Sequence, residues 1–218
     1  MNKEQIILNT IDFVKETLEG AEGGHDWFHI ERVYKNALLI SENEKVDRFT
    51  VQLGALLHDI ADAKFYNGDE SIGPKKAREF LKKQYVDEDI IIHIENIILF
   101  ISYKSSLDTS KKFTSPELYV IQDADRLDAI GAIGIARCFN YGGFKNRSLY
   151  DPAIEPNLEM TKEQYKKSTA PTINHFYEKL LLLKDKMNTK TGQLLAKERH
   201  RYMEGFLQQF YEEWNGVK

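Results

Sequence analysis

Residues 53–62 read LGALLHDIAD, an apolar run that ends with one histidine and two aspartates. Apolar side chains recur there at spacings of three and four, which predicts a buried helix over about residues 50–62. The face of that helix would carry Val51, Ala55, His58 and Asp62, with Asp59 beside it. Burying ionised carboxylates costs free energy unless a partner neutralises them. The stretch therefore needs an explanation beyond core packing.

Helical spacing continues along nearly the whole chain, and no segment shows a convincing strand alternation. A first helix is expected over residues 4–19, ending at a cluster of glycines. Asp26 is expected to cap a second helix. The inward stripe of that second helix would contain His29, Val33, Ala37 and Ile40. These patterns predict an all-α fold of the helical-bundle kind.

Domain organisation is predicted to be simple, because no linker interrupts the helical pattern of residues 1–218. The exception is an irregular loop over residues 140–160, which is rich in Gly, Pro and Asn. A loop of that length is more often functional than a plain connector, and Tyr141, Phe144 and Tyr150 could stack on a base. The sequence TKEQ at residues 161–164 resembles a capping box, and C-terminal helices are expected over residues 161–215.

Composition excludes several classes of protein. The 218 residues carry a net charge of −4, which disfavours nonspecific electrostatic binding of nucleic acid. No apolar run approaches the roughly 20 residues of a membrane span, and no signal peptide is evident, so we expect a cytoplasmic protein. Cys138 is the single cysteine, so any metal must be held by histidines and carboxylates. The composition leaves a homodimer as one option for the oligomeric state.

Four side chains could share one metal ion: His29, His58, Asp59 and Asp125. Consecutive residues on a helix diverge by roughly 100°, so His58 and Asp59 could hold an ion in the angle between them. A histidine and an aspartate on facing helices would complete the shell, as in metal sites of helical bundles. Each histidine alone could equally be a core residue bonded to a carbonyl. A set without thiolate suits Mn²⁺, Mg²⁺, Co²⁺, Fe²⁺ or Zn²⁺, and geometry alone does not choose among them. Of these ions we expect Mn²⁺.

Three motifs occur in one order: HIERV at residues 29–33, LLHDI at residues 56–60 and DADRL at residues 123–127. This pattern resembles the HD-domain superfamily of metal-dependent phosphohydrolases, with a motif core over about residues 25–137. Three longer segments are similar to those of small bacterial HD proteins of the YpgQ and YedJ type: GHDWFHIERV, HDIADAKF and TKTGQLLAKERHRYM.

The resemblance implies that His29, His58, Asp59 and Asp125 are the metal ligands. It also implies a proton-transfer role for Asp62, since several superfamily members place an acidic residue three beyond the HD aspartate. The alternative is that Asp62 merely ends the helix. Binuclear relatives add histidines before the last aspartate, and this interval offers only His93, so one divalent ion is expected.

Further polar residues are candidates for substrate contact. Phosphate binding is considered for Lys64, Arg126 and Arg32, and each could instead be a solvated charge or a structural ion pair. His25 precedes the second helix and is expected to hydrogen-bond to a metal ligand or to contact the substrate. His175 and Lys179, four residues apart, could reach a triphosphate, although packing explains them equally well.

The expected activity follows from the resemblance. It implies a nucleoside triphosphate pyrophosphohydrolase, with a preference for deoxynucleotides as one option, that gives a monophosphate and pyrophosphate from a small-molecule nucleotide. Two alternatives stay open. One is another phosphoester hydrolase, acting on nucleoside monophosphates or guanosine tetraphosphate. The other is a noncatalytic nucleotide sensor that keeps the metal for structure.

Overall fold

The computed structural model of the chain describes residues 2–20, 26–61, 69, 71–101, 113–161, 164 and 168–218. Within those ranges the regular structure is helical and contains no strand, which confirms the predicted all-α class. None of the helices in the described part is long and apolar enough to cross a membrane.

Contacts between Cα atoms divide the chain into two compact units, residues 1–125 and residues 126–218. The boundary falls inside a helix. Each unit is treated by itself, and the single continuous domain expected from the sequence stays a prediction.

The first unit is built from six helices of the described ranges, the last of which runs across the boundary. Their bounds are α1 Lys3–Thr17, α2 Trp27–Ser41, α3 Arg48–Leu57, α4 Ile72–Lys83, α5 Glu88–Phe100 and α6 Pro116–Asp128. Helix α3 packs against α1, α2 and α5, and α4 packs against α5. The central position of α3 explains its composition, since nearly all of its side chains are buried.

A close approach to α3 occurs at Gly54. A Cβ atom at this position would lie 2.5 Å from Cδ1 of Ile121 and 3.3 Å from Cδ1 of Ile97. The glycine therefore allows α5 and α6 to pack tightly beside the helix that leads to the HD pair.

Helix α3 is shorter than predicted. It ends at Leu57, so His58 is the C-cap residue and Asp59 lies in the following turn, whereas the sequence pattern predicted a helix to residue 62. The amide of Ile60 donates to the carbonyl of Leu57, a tighter turn than an α-helix makes. Apolar periodicity cannot predict where α3 ends, because Ile60 is buried as it would be in a continuing helix.

The second unit contains the end of α6 followed by three α-helices and one 3₁₀ helix of the described ranges. These are α7 Gly131–Phe144, α8 Asn174–Glu178, the 3₁₀ helix Leu180–Lys186 and α9 Lys190–Trp214. Helix α9 packs against α7 and the 3₁₀ helix. Its aromatic stripe meets α7 and α8, since the rings of Phe139, Phe176 and Phe206 contact one another.

The predicted irregular loop over residues 140–160 begins too early, because α7 continues to Phe144. The two glycines that suggested a turn lie inside the helix. Gly142 is there because the chain approaches closely: a Cβ atom would lie 2.2 Å from Oγ1 of Thr172. The helix ends with Asn146 in the left-handed region at φ 51°, and the amide of Arg147 donates to the carbonyl of Gly142, a Schellman motif.

The capping box predicted at TKEQ is present. The amide of Gln164 donates to Oγ1 of Thr161 at 3.3 Å, and the amide of Thr161 donates to Oε1 of Gln164 at 2.8 Å. These reciprocal bonds satisfy the backbone donors of Thr161 and Gln164, as a capping box does.

Candidate metal centre

Three side chains of the first unit converge on one point: His29, His58 and Asp125. Each offers one ligand atom, and these atoms lie within 4.8 Å of one another. Nε2 of His29 is 3.5 Å from Oδ1 of Asp125, and the two imidazole rings meet edge to face with centroids 5.5 Å apart. Residues from α2, the end of α3 and α6 therefore form a compact cluster of two nitrogens and one carboxylate.

The start of α2 positions His29. Asp26 is the N-cap residue, as predicted, and its carboxylate accepts the backbone N–H of His29 at 2.9 Å. His29 therefore occupies the first turn of α2 on its inward face, where it is 3% exposed. A buried ring at a capped helix start has little freedom to turn away from the cluster.

The end of α3 fixes His58. Its Nδ1 lies 2.8 Å from the carbonyl oxygen of Ala55, and a carbonyl can only accept, so Nδ1 carries the proton. Nε2 then carries the lone pair that could bind a metal, the arrangement that metal-binding histidines commonly adopt. Burial lowers the pKa of His58 below its usual 6.5, and His29 adds to that effect, while Asp125 and Asp59 oppose it. At neutral pH the ring is the neutral imidazole that a metal requires.

Helix α6 brings Asp125 to the cluster. The carboxamide of Asn36, two turns after His29 on α2, donates to the carbonyl of Ala124 at 3.3 Å and so ties α2 to α6 beside the ligands. The side chain of Asp125 is 43% exposed whereas that of His29 is 4% exposed. The cluster therefore has a buried side made by the histidines and an accessible side at the carboxylate.

Asp59 follows His58 in the chain, but its carboxylate oxygens are not among the three ligand atoms that lie close to one another. It is half-buried, and its charge acts on His58, so it contributes negative potential to the centre. Its role as a fourth ligand stays a prediction. Predictions for His25, Asp62 and Lys64 concern positions outside the described residues.

The remaining predicted contacts are placed as follows. Arg32 is half-buried on α2. The guanidinium of Arg126 donates to the main-chain carbonyl of Lys186, a structural use that the sequence left open. His175 is half-buried and Lys179 exposed, both at α8 in the second unit.

Sequence reasoning missed the two groups that orient the ligands, Asn36 and the Ala55 carbonyl. Asn36 had a detectable signal, since it lies seven residues after His29 and so shares its helix face. The Ala55 carbonyl had no such signal, because every residue carries a backbone carbonyl.

The donor set fits a divalent cation. Ligand atoms bound about 2.0–2.2 Å from one ion are roughly 3–4 Å apart, so the observed cluster needs only small side-chain rotations to bind one. Two imidazoles and a carboxylate suit first-row divalent metals. His29, His58 and Asp125 would hold the ion.

Comparison with known proteins agrees with this geometry. The HD domain family model matches residues 27–130, which include all three clustered side chains. The chain is 36% identical over 212 residues to the uncharacterized protein YpgQ of Bacillus subtilis, covering 94% of this chain and 92% of that protein.

Solved structures give the same result over the whole chain. An HD-superfamily hydrolase from Bacillus thuringiensis is 46% identical with a TM-score of 0.79, covering 98% of this chain and 99% of that one. The structure of Bacillus subtilis YpgQ in complex with ADP is 33% identical with a TM-score of 0.73, covering 98% and 97%. The chain therefore belongs to the HD-domain family. It is a metal-dependent phosphohydrolase of that family.

Proposed function

We propose that this protein hydrolyses nucleoside triphosphates, including deoxynucleotides, to a monophosphate and pyrophosphate, with one Mn²⁺ ion as cofactor. The observation that carries the proposal is the cluster of His29, His58 and Asp125 with an accessible side at the carboxylate. The ADP bound to the related YpgQ supports a nucleotide as the ligand class.

A bound divalent ion supplies positive charge that polarises a phosphoryl group and lowers the pKa of a water molecule. The chain's own residues set that chemistry. Imidazole ligands add no charge, so the carboxylate of Asp125, and that of Asp59 if it binds, would control how much positive charge reaches the substrate. The buried histidine side keeps water away from one face and directs the reaction to the accessible face.

Proton transfer is assigned to Asp62. A carboxylate at this position would orient the attacking water and accept its proton, a contribution typically worth about 10²–10⁴-fold in rate. A cationic side chain near the substrate, with Lys64 as our candidate, would balance the phosphate charge that the ion leaves uncompensated.

A substrate panel tests the proposal. Ribonucleoside and deoxyribonucleoside mono-, di- and triphosphates and guanosine tetraphosphate are incubated with Mn²⁺, Mg²⁺ or Co²⁺, and phosphate and pyrophosphate are measured separately. We expect pyrophosphate from triphosphates with Mn²⁺. Phosphate from monophosphates would indicate a nucleotidase instead. Equal background from wild type and Asp59→Ala with every substrate would refute the hydrolase assignment.

The role of Asp62 has its own test. Asp62→Asn should retain Mn²⁺ affinity and lose about 10²-fold or more in kcat. Asp12→Asn, which changes an exposed carboxylate on α1, is the matched control and should keep wild-type turnover. Wild-type kcat in Asp62→Asn would remove that residue from the mechanism.

A further inference from the structure

Two arginine side chains of the second unit bind the last turn of α6. Nη1 of Arg199, on α9, donates to the main-chain carbonyl of Leu127 at 2.5 Å. Nη1 of Arg137, on α7, donates to the main-chain carbonyl of Asp128 at 3.2 Å and also pairs with the Asp128 carboxylate. Carbonyls in the last turn of a helix lack the regular intrahelical donor, and basic side chains can bind them and complement the helix dipole. Side chains from two other helices therefore fix the end of α6.

Packing leaves Arg199 little freedom to move away from α6. Its aliphatic stem lies against Gly131, where a Cβ atom would be 3.0 Å from both Cβ and Cγ of Arg199. Gly131 adopts φ 75°, so a glycine serves both the turn after α6 and the approach of the arginine. The charge of Asp128 also acts on Arg199, because it opposes the lowering of the Arg199 pKa that burial causes. The guanidinium is thus held by packing and charge as well as by its hydrogen bond.

The metal ligand Asp125 lies in the same last turn of α6 as the Leu127 carbonyl. The two histidine ligands are buried, whereas the side chain of Asp125 is 43% exposed, so core packing does little to orient it. Its direction depends instead on how the end of α6 is held. Asn36 holds the helix through the Ala124 carbonyl, just before the ligand, and Arg199 holds it through the Leu127 carbonyl, just after. Without such contacts the ends of helices fray.

Arg199 belongs to the segment TKTGQLLAKERHRYM at residues 189–203, which contains none of the predicted site residues. We propose that Arg199 is a positioning residue for the metal ligand Asp125, acting through the last turn of α6. The inference rests on the proposed metal centre and adds to it a residue from the C-terminal part of the chain. A residue that only stabilised the fold would leave the metal affinity of the folded protein unchanged.

The Mn²⁺ affinity of the full-length protein, measured from the EPR signal of the free ion, tests this role without substrate. Arg199→Met keeps the aliphatic stem and removes the donors, so it should weaken Mn²⁺ binding about tenfold or more, as the loss of a group that orients a metal ligand does. Arg199→Lys retains the charge and can still donate to one carbonyl, so it should recover part of that affinity. Arg201→Met removes an exposed guanidinium from the same helix and should bind Mn²⁺ as wild type does.

Two further comparisons separate positioning from a loss of stability. Gly142→Ala places a methyl group against Thr172, so it should unfold more easily than wild type and still bind Mn²⁺ with wild-type affinity. In an Asp125→Asn background, Arg199→Met should weaken Mn²⁺ binding by less than about twofold further, because the ligand that Arg199 positions is already changed. Circular dichroism shows that each variant is folded during the titration.

Two results would overturn the positioning role: equal Mn²⁺ affinity of wild type and Arg199→Met, or an undiminished loss in the Asp125→Asn background. If Arg199→Met does not fold, Arg199→Gln takes its place in the same comparisons, with the same expected losses. A wild-type protein that binds no Mn²⁺ would refute the metal centre and this inference with it. A wrong substrate assignment, by contrast, leaves all of these affinities unchanged.

Discussion

At the scale of single residues, the ligands of the candidate metal centre differ in how they are held. His29 and His58 are buried and positioned by backbone contacts, and Asp125 sits at the accessible edge. Asp59 adds its charge to the centre from outside the three mutually close ligand atoms. This asymmetry makes the two carboxylates the informative residues to change.

Asp125→Asn and Asp59→Asn should each weaken Mn²⁺ binding by about 100-fold, since each removes a charged oxygen ligand. Titration calorimetry measures the affinity, and Asp12→Asn is the control. Wild-type affinity in Asp59→Asn would limit the protein ligands to the three clustered residues and leave Asp59 with a purely electrostatic role.

His175 should make the stability of the protein depend on pH. Its pKa is about 4 in the folded protein and near 6.5 when unfolded, so the unfolded chain binds the proton first as pH falls. The free energy of unfolding should therefore decrease between about pH 6.5 and pH 4. From pH 7 to pH 5 the contribution of His175 is about 2 kcal/mol.

Urea unfolding of wild type and His175→Gln with EDTA measures this contribution. The pH slope of the variant should be smaller by that amount, while slopes from His58 remain in both proteins. Identical slopes would show that His175 is as accessible to protons in the folded protein as in the unfolded chain.

The clustered ligands could be predicted from the sequence because their types and spacing are specific to one kind of site. The orienting groups could not. The Ala55 carbonyl is chemically generic, and the contact of Asn36 depends on where α6 lies.

At the scale of helices, α7 contains two adjacent glycines that differ in their structural role. Gly142 and Gly143 are adjacent and both helical, but only Gly142 has a neighbour in the space of a Cβ atom. Sequence patterns treat both as turn signals, which is why the start of the irregular loop was predicted too early.

Gly142→Ala should destabilise the protein by about 1–3 kcal/mol, because the methyl group would overlap Thr172. Gly143→Ala should stabilise it by up to about 1 kcal/mol through helix propensity, as no atom lies within 4 Å of the added carbon. Chemical denaturation of the two variants provides a matched comparison. A stable Gly142→Ala protein would mean that Thr172 can move aside at little cost.

Helix starts were more predictable than helix ends. Asp26 caps α2 and the reciprocal bonds of Thr161 and Gln164 form as expected, since these contacts are local in sequence. The end of α3 depends on the side chain of His58 folding back to a carbonyl, and this competes with continuing the helix. Apolar spacing carries no information about that competition.

At the scale of the whole molecule, the candidate centre joins chain segments that are distant in sequence. His29 on α2 and Asp125 on α6 are far apart in the sequence of the first unit. An ion that binds only the folded protein stabilises it by mass action. At about 100 times its Kd, Mn²⁺ should add about 3 kcal/mol to the free energy of unfolding.

Thermal or urea unfolding with and without Mn²⁺ measures this gain. His29→Ala should lose it, and Asp12→Asn should keep it. An equal gain in His29→Ala would place the bound ion elsewhere.

The division into two compact units has no counterpart in the sequence pattern. The boundary between the two compact units falls inside α6, between Asp125 and Arg126, so no Pro- or Gly-rich linker marks it. The family and the helical class, by contrast, follow from motifs and periodicity that survive in the sequence itself.

The bond from His58 to the Ala55 carbonyl affects how many protons are released when a metal binds. Because the ring is neutral and already protonated on the nitrogen that faces the helix, coordination by the other nitrogen displaces no proton from this residue near neutrality. The heat of Mn²⁺ uptake should then contain no buffer-ionisation contribution from His58.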